Sequence, residues 1–250
     1  MVPEEWYVIA IVCWIAVGLG TGLYLFRRAA PYGRFSNPTW GPMVSNRWGW
    51  FIMETTVILT FTAWIPWSRL TPPEAVMVAL FCLHYVHRAL IYPFAIRTRG
   101  KRMPLVIMLS AMVFNTVNGS LLGLWFARWA NYPDNWFGSP QFVAGALLFA
   151  VGMGLNLRSD YILIHLRKGG DTGYVVPAKG PFKFVSSPNL LGEMVEWGGY
   201  ALLTWSLPAL AFFVWTCANL LPRAAAIHRW YLKTFPDYPP GRKRLIPRLW

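Results

Sequence analysis

Asn189, Glu193 and Glu196 stand four and then three residues apart in SSPNLLGEMVEW, just before the apolar run GGYALLTWSLPALAFFVW. With Tyr200 they form a stripe of one amide, two carboxylates and a phenol along one helical face. Pro188 suits the first helical position and Ser187 the cap before it. The carboxylates then fall in the first turns, where the helix dipole favours negative charge. This explains their tolerance but not their number. A second amide and acid, Asn156 and Asp160, are also four residues apart, and Arg167, Lys168 and Tyr174 follow them. The C-terminal stretch adds Arg223, His228, Arg229, Tyr231 and Arg242. Amides and carboxylates facing a basic cluster suit a large polar anion with an amide or ribose end, such as a nucleotide. Two blander readings also fit these residues: charges that snorkel at a membrane interface, and a polybasic tail on anionic lipid.

A separate set lies in the first half of the chain. Glu54 sits in WGWFIMETTVILTF with bulky apolar residues on both sides. Carboxyl groups in such surroundings are costly and face a partner or a cavity. One reading pairs Glu54 with an arginine such as Arg88. The other makes it a proton or hydrogen-bond donor that lines a substrate cavity. The stretch FCLHYVHRALIYPF carries His84, Tyr85, His87, Arg88 and Tyr92, with His84, Arg88 and Tyr92 on one helical face. The chain holds four histidines in all, too few for the multi-histidine boxes of membrane di-iron enzymes, and no metal site is expected. A tyrosine hydroxyl near a carboxyl is the better candidate to grip a ligand oxygen.

The elements that must position these groups are membrane helices. Of 250 residues 56% are hydrophobic and only 13% are charged, and mean hydropathy is +0.38. A soluble surface needs more charge than that. Apolar runs at 6–26, 49–67, 73–95, 104–127, 141–165, 190–205 and 207–221 are candidate spans. The first follows Glu4 and Glu5 rather than a basic segment, so it reads as a retained helix and not as a cleaved signal. Placing the N-terminus outside puts 19 of the 23 lysines and arginines on the cytoplasmic side, with only Arg69 and Arg128 opposite. This bias explains the formal charge of +13 without a nucleic-acid partner. The loop 166–188 and the tail from 222 are both basic, so two short spans with a reversal at Pro208 lie between them. The expectation is an all-α integral membrane protein with seven transmembrane helices, N-terminus out and C-terminus cytoplasmic. It forms one domain over 1–250 and lies in the endoplasmic reticulum or a bacterial inner membrane, with lipid around it and no obligate protein partner. GLGTGL at 18–23 and GMG at 152–154 are glycines within apolar helices, not a dinucleotide fingerprint, so no Rossmann domain is expected. Cys13, Cys82 and Cys217 all lie in apolar runs and make no disulfide framework.

The run GMGLNLRSDYILIHLRKGGDTGYVVP, then GPFKFVSSPNLLGEMVEWGGYALLTWSLPALAF and HRWYLKTFPDYPPGRKRLIP, closely resembles the C-terminal half of steroid 5α-reductases. FCLHYVHR and the glutamate of WFIMETTVI resemble their N-terminal half. The likeness is to the type 2 and type 1 branch and covers nearly the whole chain. It implies NADPH-dependent reduction of the Δ4 double bond of a 3-oxo-Δ4-steroid, testosterone- or progesterone-like. Glu54 and Tyr85 would hydrogen-bond the 3-keto oxygen while hydride reaches carbon 5. Asn156, Asp160, Arg167, Tyr174, Asn189, Glu193, Arg223 and Tyr231 match cofactor positions of the family. Tyr32, Arg99, Glu196 and His228 join them as further cofactor candidates. On this basis residues to about 130 would bind steroid and the remainder NADPH. Two alternatives stay open: an S-adenosylmethionine-dependent methyltransferase of the isoprenylcysteine carboxyl type, and a non-catalytic sterol-binding membrane protein. The former type carries Arg-His-Pro where this chain has Ser186-Ser187-Pro188.

Overall fold

The computed structural model describes residues 4–97, 100–166 and 173–250. Among these the chain is helical, apart from loops, one short two-stranded ladder and one isolated bridge. The helices are α1 (Glu4–Arg27), α2 (Asn46–Thr62), α3 (Pro72–Val86), α4 (Tyr92–Ala95), α5 (Leu105–Arg128), α6 (Pro140–Ile164), α7 (Pro188–Thr204) and α8 (Leu207–Thr234). A π-helical turn, His87–Ile91, joins α3 to α4. Among the described residues, five rods are long and apolar enough to cross a membrane: Glu4–Arg27, Pro72–Ala95, Leu105–Arg128, Pro140–Ile164 and Leu207–Thr234. α2 and α7 have 17 residues each, about 25 Å of helix. Leu23, Val113, Leu147 and Val151 are exposed on the outer faces of the long helices, which suits lipid and would be penalised by water.

The chain divides into two compact units, Met1–Ala29 with Ala144–Trp250, and Ala30–Val143. Within the first of these units α1 packs along α8. Gly18 and Gly22 make this possible. A Cβ on Gly18 would lie 2.9 Å from the Trp215 ring, and one on Gly22 would lie 3.0 Å from Ala218 Cβ. Gly20, between them, faces open space. Small residues four apart let two backbones approach where lipid supplies no hydrophobic drive. Trp215 also donates to the Trp14 carbonyl at 2.9 Å.

α8 corrects one expectation. The predicted span ended at residue 221, yet the helix runs through Pro222 to Thr234. Pro222 removes one backbone donor, but contact with α1 at Ala218 holds the turn. Twenty-eight residues make about 42 Å, more than a bilayer core of about 30 Å, so Arg223, His228 and Tyr231 ride on a helix rather than a tail. The expected reversal is present slightly earlier than predicted. α7 ends at Trp205, which is left-handed with φ 45°; Ser206 follows, and Pro208 sits in the first turn of α8. Ser187 occupies the cap position of α7, but its side chain makes no capping bond. Its carbonyl instead accepts from Leu190 and Leu191.

In the Ala30–Val143 unit, α2 packs along α5 through Gly119 and Gly123. A Cβ on Gly123 would lie 2.7 Å from the Phe61 carbonyl oxygen. Phe61 stacks on Phe81 at 4.2 Å, and Phe81 on Tyr85 at 4.8 Å. Strands β1 (Met43–Ser45) and β2 (Arg102–Pro104) pair antiparallel, with Val44 opposite Met103, and so tie the entry of α2 to that of α5. At the start of α3, Thr71 N–H donates to Glu74 Oε2 at 3.0 Å, one half of a capping box. The end of α3 widens because Pro93 cannot donate to Ala89, and Tyr92 N–H reaches back five residues to His87 O.

Candidate functional site

The polar residues of α6 and α7 meet because four glycines let these helices touch. Gly145 pairs with Gly199 and Gly152 with Gly192, so the helices run antiparallel with seven-residue spacing on both. A Cβ on Gly145 or Gly152 would stand 2.6 Å from the carbonyl oxygen of its partner. Beyond the second pair, Asn156 Nδ2 donates to the Asn189 carbonyl at 3.0 Å and lies 3.5 Å from Glu193 Oε2. Asn189 Nδ2 donates to Asp160 Oδ1 at 3.3 Å. Four of the residues selected by spacing thus form one cross-helix network. Asn156 and Asp160 are buried, as is Glu196, one turn deeper on α7, where its backbone abuts Gly152. Ser159 and Ser187 are buried beside this cluster, and neither hydroxyl has a hydrogen-bond partner among the described residues.

The C-terminal segment is fastened to the loop before α7. Ser186 N–H donates to Lys243 O at 2.8 Å, and Lys243 N–H to Phe184 O at 3.1 Å. Arg242 donates to the Pro177 carbonyl at 2.9 Å and lies 4.9 Å over the Tyr238 ring. Tyr238 in turn stacks on Tyr231 at 5.1 Å. Arg223 and Tyr231 are buried, whereas Tyr174 is exposed and packs edge-on to Trp230 at 5.0 Å. Arg99 and Arg167 lie outside the described residues.

Glu54, Tyr85 and Tyr32 belong to the other unit. Glu54 is half-buried on α2, and Asn115 of α5 donates to the carbonyl of the preceding Met53 at 2.7 Å. Tyr85 is buried at the end of α3, between Phe81 and His84. Arg88, on the π turn, lies 4.6 Å over Tyr92 and 5.6 Å over Trp50. Tyr32, expected among the cofactor residues, packs edge-on to that same Trp50 at 6.1 Å.

The family model for 3-oxo-5-alpha-steroid 4-dehydrogenase matches residues 101–250. Over 251 residues the chain is 39% identical to the steroid 5-alpha-reductase DET2 of Gossypium hirsutum, covering 96% of this chain and 93% of that one. The chain belongs to the steroid 5α-reductase family. It is also 46% identical to the 3-oxo-5-alpha-steroid 4-dehydrogenase 2 of Homo sapiens, over 80% of each chain. Identity to the 3-oxo-5-alpha-steroid 4-dehydrogenase 1 of Bos taurus is 37%, over 98% of each.

The α6–α7 network was legible as two i, i+4 stripes. Ser186 and Tyr238 were not, because nothing local marks a serine as the meeting point of groups 42 to 57 residues away. Ser159 and the glycine pairs were likewise missed as parts of the site. Asn156→Leu should cost about 1–3 kcal/mol of stability, since it leaves the half-buried Asn189 carbonyl and Glu193 without their shared donor. Thermal unfolding in detergent measures this, and an unchanged midpoint would mean that the amide does not join the two helices.

Proposed function

We propose that this chain reduces the Δ4 double bond of 3-oxo-Δ4-steroids to 5α-dihydrosteroids with NADPH, as a seven-span membrane enzyme with its N-terminus outside and its C-terminus cytoplasmic. Family membership supports the reaction class. The observation that carries the cofactor assignment is the amide–carboxylate network of buried Asn156 and Asp160 with half-buried Asn189 and Glu193. Together with the two orphaned hydroxyls of Ser159 and Ser187, it offers the mixed donors and acceptors that a ribose and a carboxamide need. The donor set therefore fits a dinucleotide. Glu196, Arg223, His228, Tyr231, Tyr174, Tyr32, Arg99 and Arg167 complete the proposed cofactor set, with the arginines drawn to phosphate.

NADPH, when bound, supplies the hydride for carbon 5. Glu54, in its protonated form, and Tyr85 donate hydrogen bonds to the steroid 3-keto oxygen, which gains negative charge as hydride arrives, and a proton added at carbon 4 completes the reduction. Donors in a dry, fixed setting stabilise such an oxyanion by about 3 kcal/mol each. Asn115 steadies the α2 turn just before Glu54, and Phe81 and His84 flank Tyr85. The 19-to-2 bias of basic residues supports the orientation. The methyltransferase reading gains nothing from relatives named as a steroid 5-alpha-reductase and as 3-oxo-5-alpha-steroid 4-dehydrogenases.

The assay is direct. Purified protein in detergent, given NADPH and testosterone or progesterone, should form the 5α-dihydro steroid with matching loss of NADPH. Absence of turnover across a panel of 3-oxo-Δ4-steroids would refute the proposal.

A further inference from the structure

Ser186 is buried in the loop before α7, and its one hydroxyl has three polar neighbours. His228 Nδ1 and Tyr238 OH each lie 2.6 Å from Oγ, and the Lys243 carbonyl oxygen lies at 3.0 Å. A serine hydroxyl has one proton to give and two lone pairs that accept. The carbonyl can only accept, so the Lys243 contact takes the serine proton. The other two contacts are hydrogen bonds only if Tyr238 donates its phenol proton and His228 donates from Nδ1. Every other assignment sets lone pair against lone pair, in a buried place where an unmade bond costs most. The Lys243 carbonyl is not free to turn away. The backbone bonds Ser186 N–H to Lys243 O and Lys243 N–H to Phe184 O hold it, as does the Arg242 bond to Pro177.

We propose that Ser186, with Tyr238 and the Lys243 carbonyl, locks His228 into its Nδ1–H tautomer and so presents Nε2 as an acceptor for a hydroxyl of the bound cofactor. This is the reverse of the tautomer that free histidine favours. It also selects a partner. A lone pair on Nε2 pairs with a ribose hydroxyl or an amide N–H and is repelled by a phosphate oxygen. His228 then reads the sugar and leaves the phosphates to arginine. Ser186 touches the histidine and not the ligand, so it is a positioning residue. The proposal rests on the reading that this face of the molecule holds NADPH.

The tautomer can be read without turnover. Full-length protein labelled with 15N-histidine, in detergent at a pH where the ring is neutral, should give an Nδ1–H spectrum for His228, assigned among the four histidines with His228→Gln. Ser186→Ala should shift it toward Nε2–H and raise both the Kd and the KM for NADPH about 5-fold, the size of one lost neutral hydrogen bond, with kcat unchanged. Ser186→Thr should restore both. An Nε2–H spectrum in the parent protein would overturn the proposal, and so would a tautomer change in Ser186→Ala that leaves NADPH affinity alone. If Ser186→Ala does not fold, the parent spectrum decides alone, Nδ1–H in support and Nε2–H against, and Tyr238→Phe should keep the Nδ1–H form because the Lys243 carbonyl still takes the serine proton. Should steroid turnover be absent while tautomer and NADPH affinity change as stated, the reaction assignment falls and the lock stands.

Discussion

Glu54→Gln and Tyr85→Phe should each lower kcat by about 10²-fold or more, while the Kd for NADPH stays within a factor of about two. For Tyr85→Phe the first number is that of losing one preorganised donor to a developing oxyanion, and for Glu54→Gln that of replacing an acid proton by a weaker amide donor. The second follows from placement, because both residues belong to the Ala30–Val143 unit and the α6–α7 network belongs to the other. Neither change disturbs packing much. Gln keeps the volume of Glu, and Tyr85→Phe keeps the ring against Phe81 and His84, so the thermal midpoint should move little. Steady-state kinetics with a 3-oxo-Δ4-steroid and separate NADPH titrations measure both quantities. Loss of cofactor binding in either variant would show that the division into substrate and cofactor parts is wrong.

Two glycines two residues apart should behave oppositely. Gly152→Leu should abolish NADPH binding and either prevent folding or lower the thermal midpoint strongly. A Cβ there meets the Gly192 carbonyl oxygen at 2.6 Å and the Glu196 backbone, and backbone cannot yield as a side chain tip can. Overpacking in a close-packed interior already costs about 1–3 kcal/mol when only side chains must move. Separating α6 from α7 would also pull Asn156 from Asn189 and Glu193. Gly154→Leu should be tolerated, since a Cβ at that position has open space around it and leucine favours helix over glycine by about 0.5–1 kcal/mol. Expression, thermal unfolding and NADPH titration of the pair make the comparison. Equal behaviour of the two variants would mean that the glycine seam does not set the α6–α7 distance.

This contrast also marks where sequence reasoning stops. GMG at 152–154 reads as two glycines in an apolar helix, and nothing local separates the one that touches α7 from the one that does not. Asn156, Asp160, Asn189 and Glu193 were legible because helix periodicity is a local property, and a polar stripe in an apolar run is costly wherever it occurs. The break between α7 and α8 was legible to within a few residues, since Pro208 constrains its own neighbourhood. The extent of α8 was not. The apolar run stops at residue 221, yet the helix continues to Thr234, and its close approach to α1 at Ala218 involves a residue nearly 200 positions earlier in sequence.

By itself the sequence determined the all-helical membrane class, the stripes that carry the polar groups and the family, because hydropathy, periodicity and long motifs are all read along the chain. Only the tertiary structure decided which stripes face each other, that α1 packs with α8 rather than with the helices that follow it, and that Ser186 is where His228, Tyr238 and Lys243 converge. Those outcomes depend on backbone approach at single glycines and on hydrogen bonds between residues 42 to 57 positions apart. The glycine spacings are regular along each helix, but neither they nor a lone serine name the partner, because partners are fixed by which surfaces can close-pack and which buried donors must find acceptors.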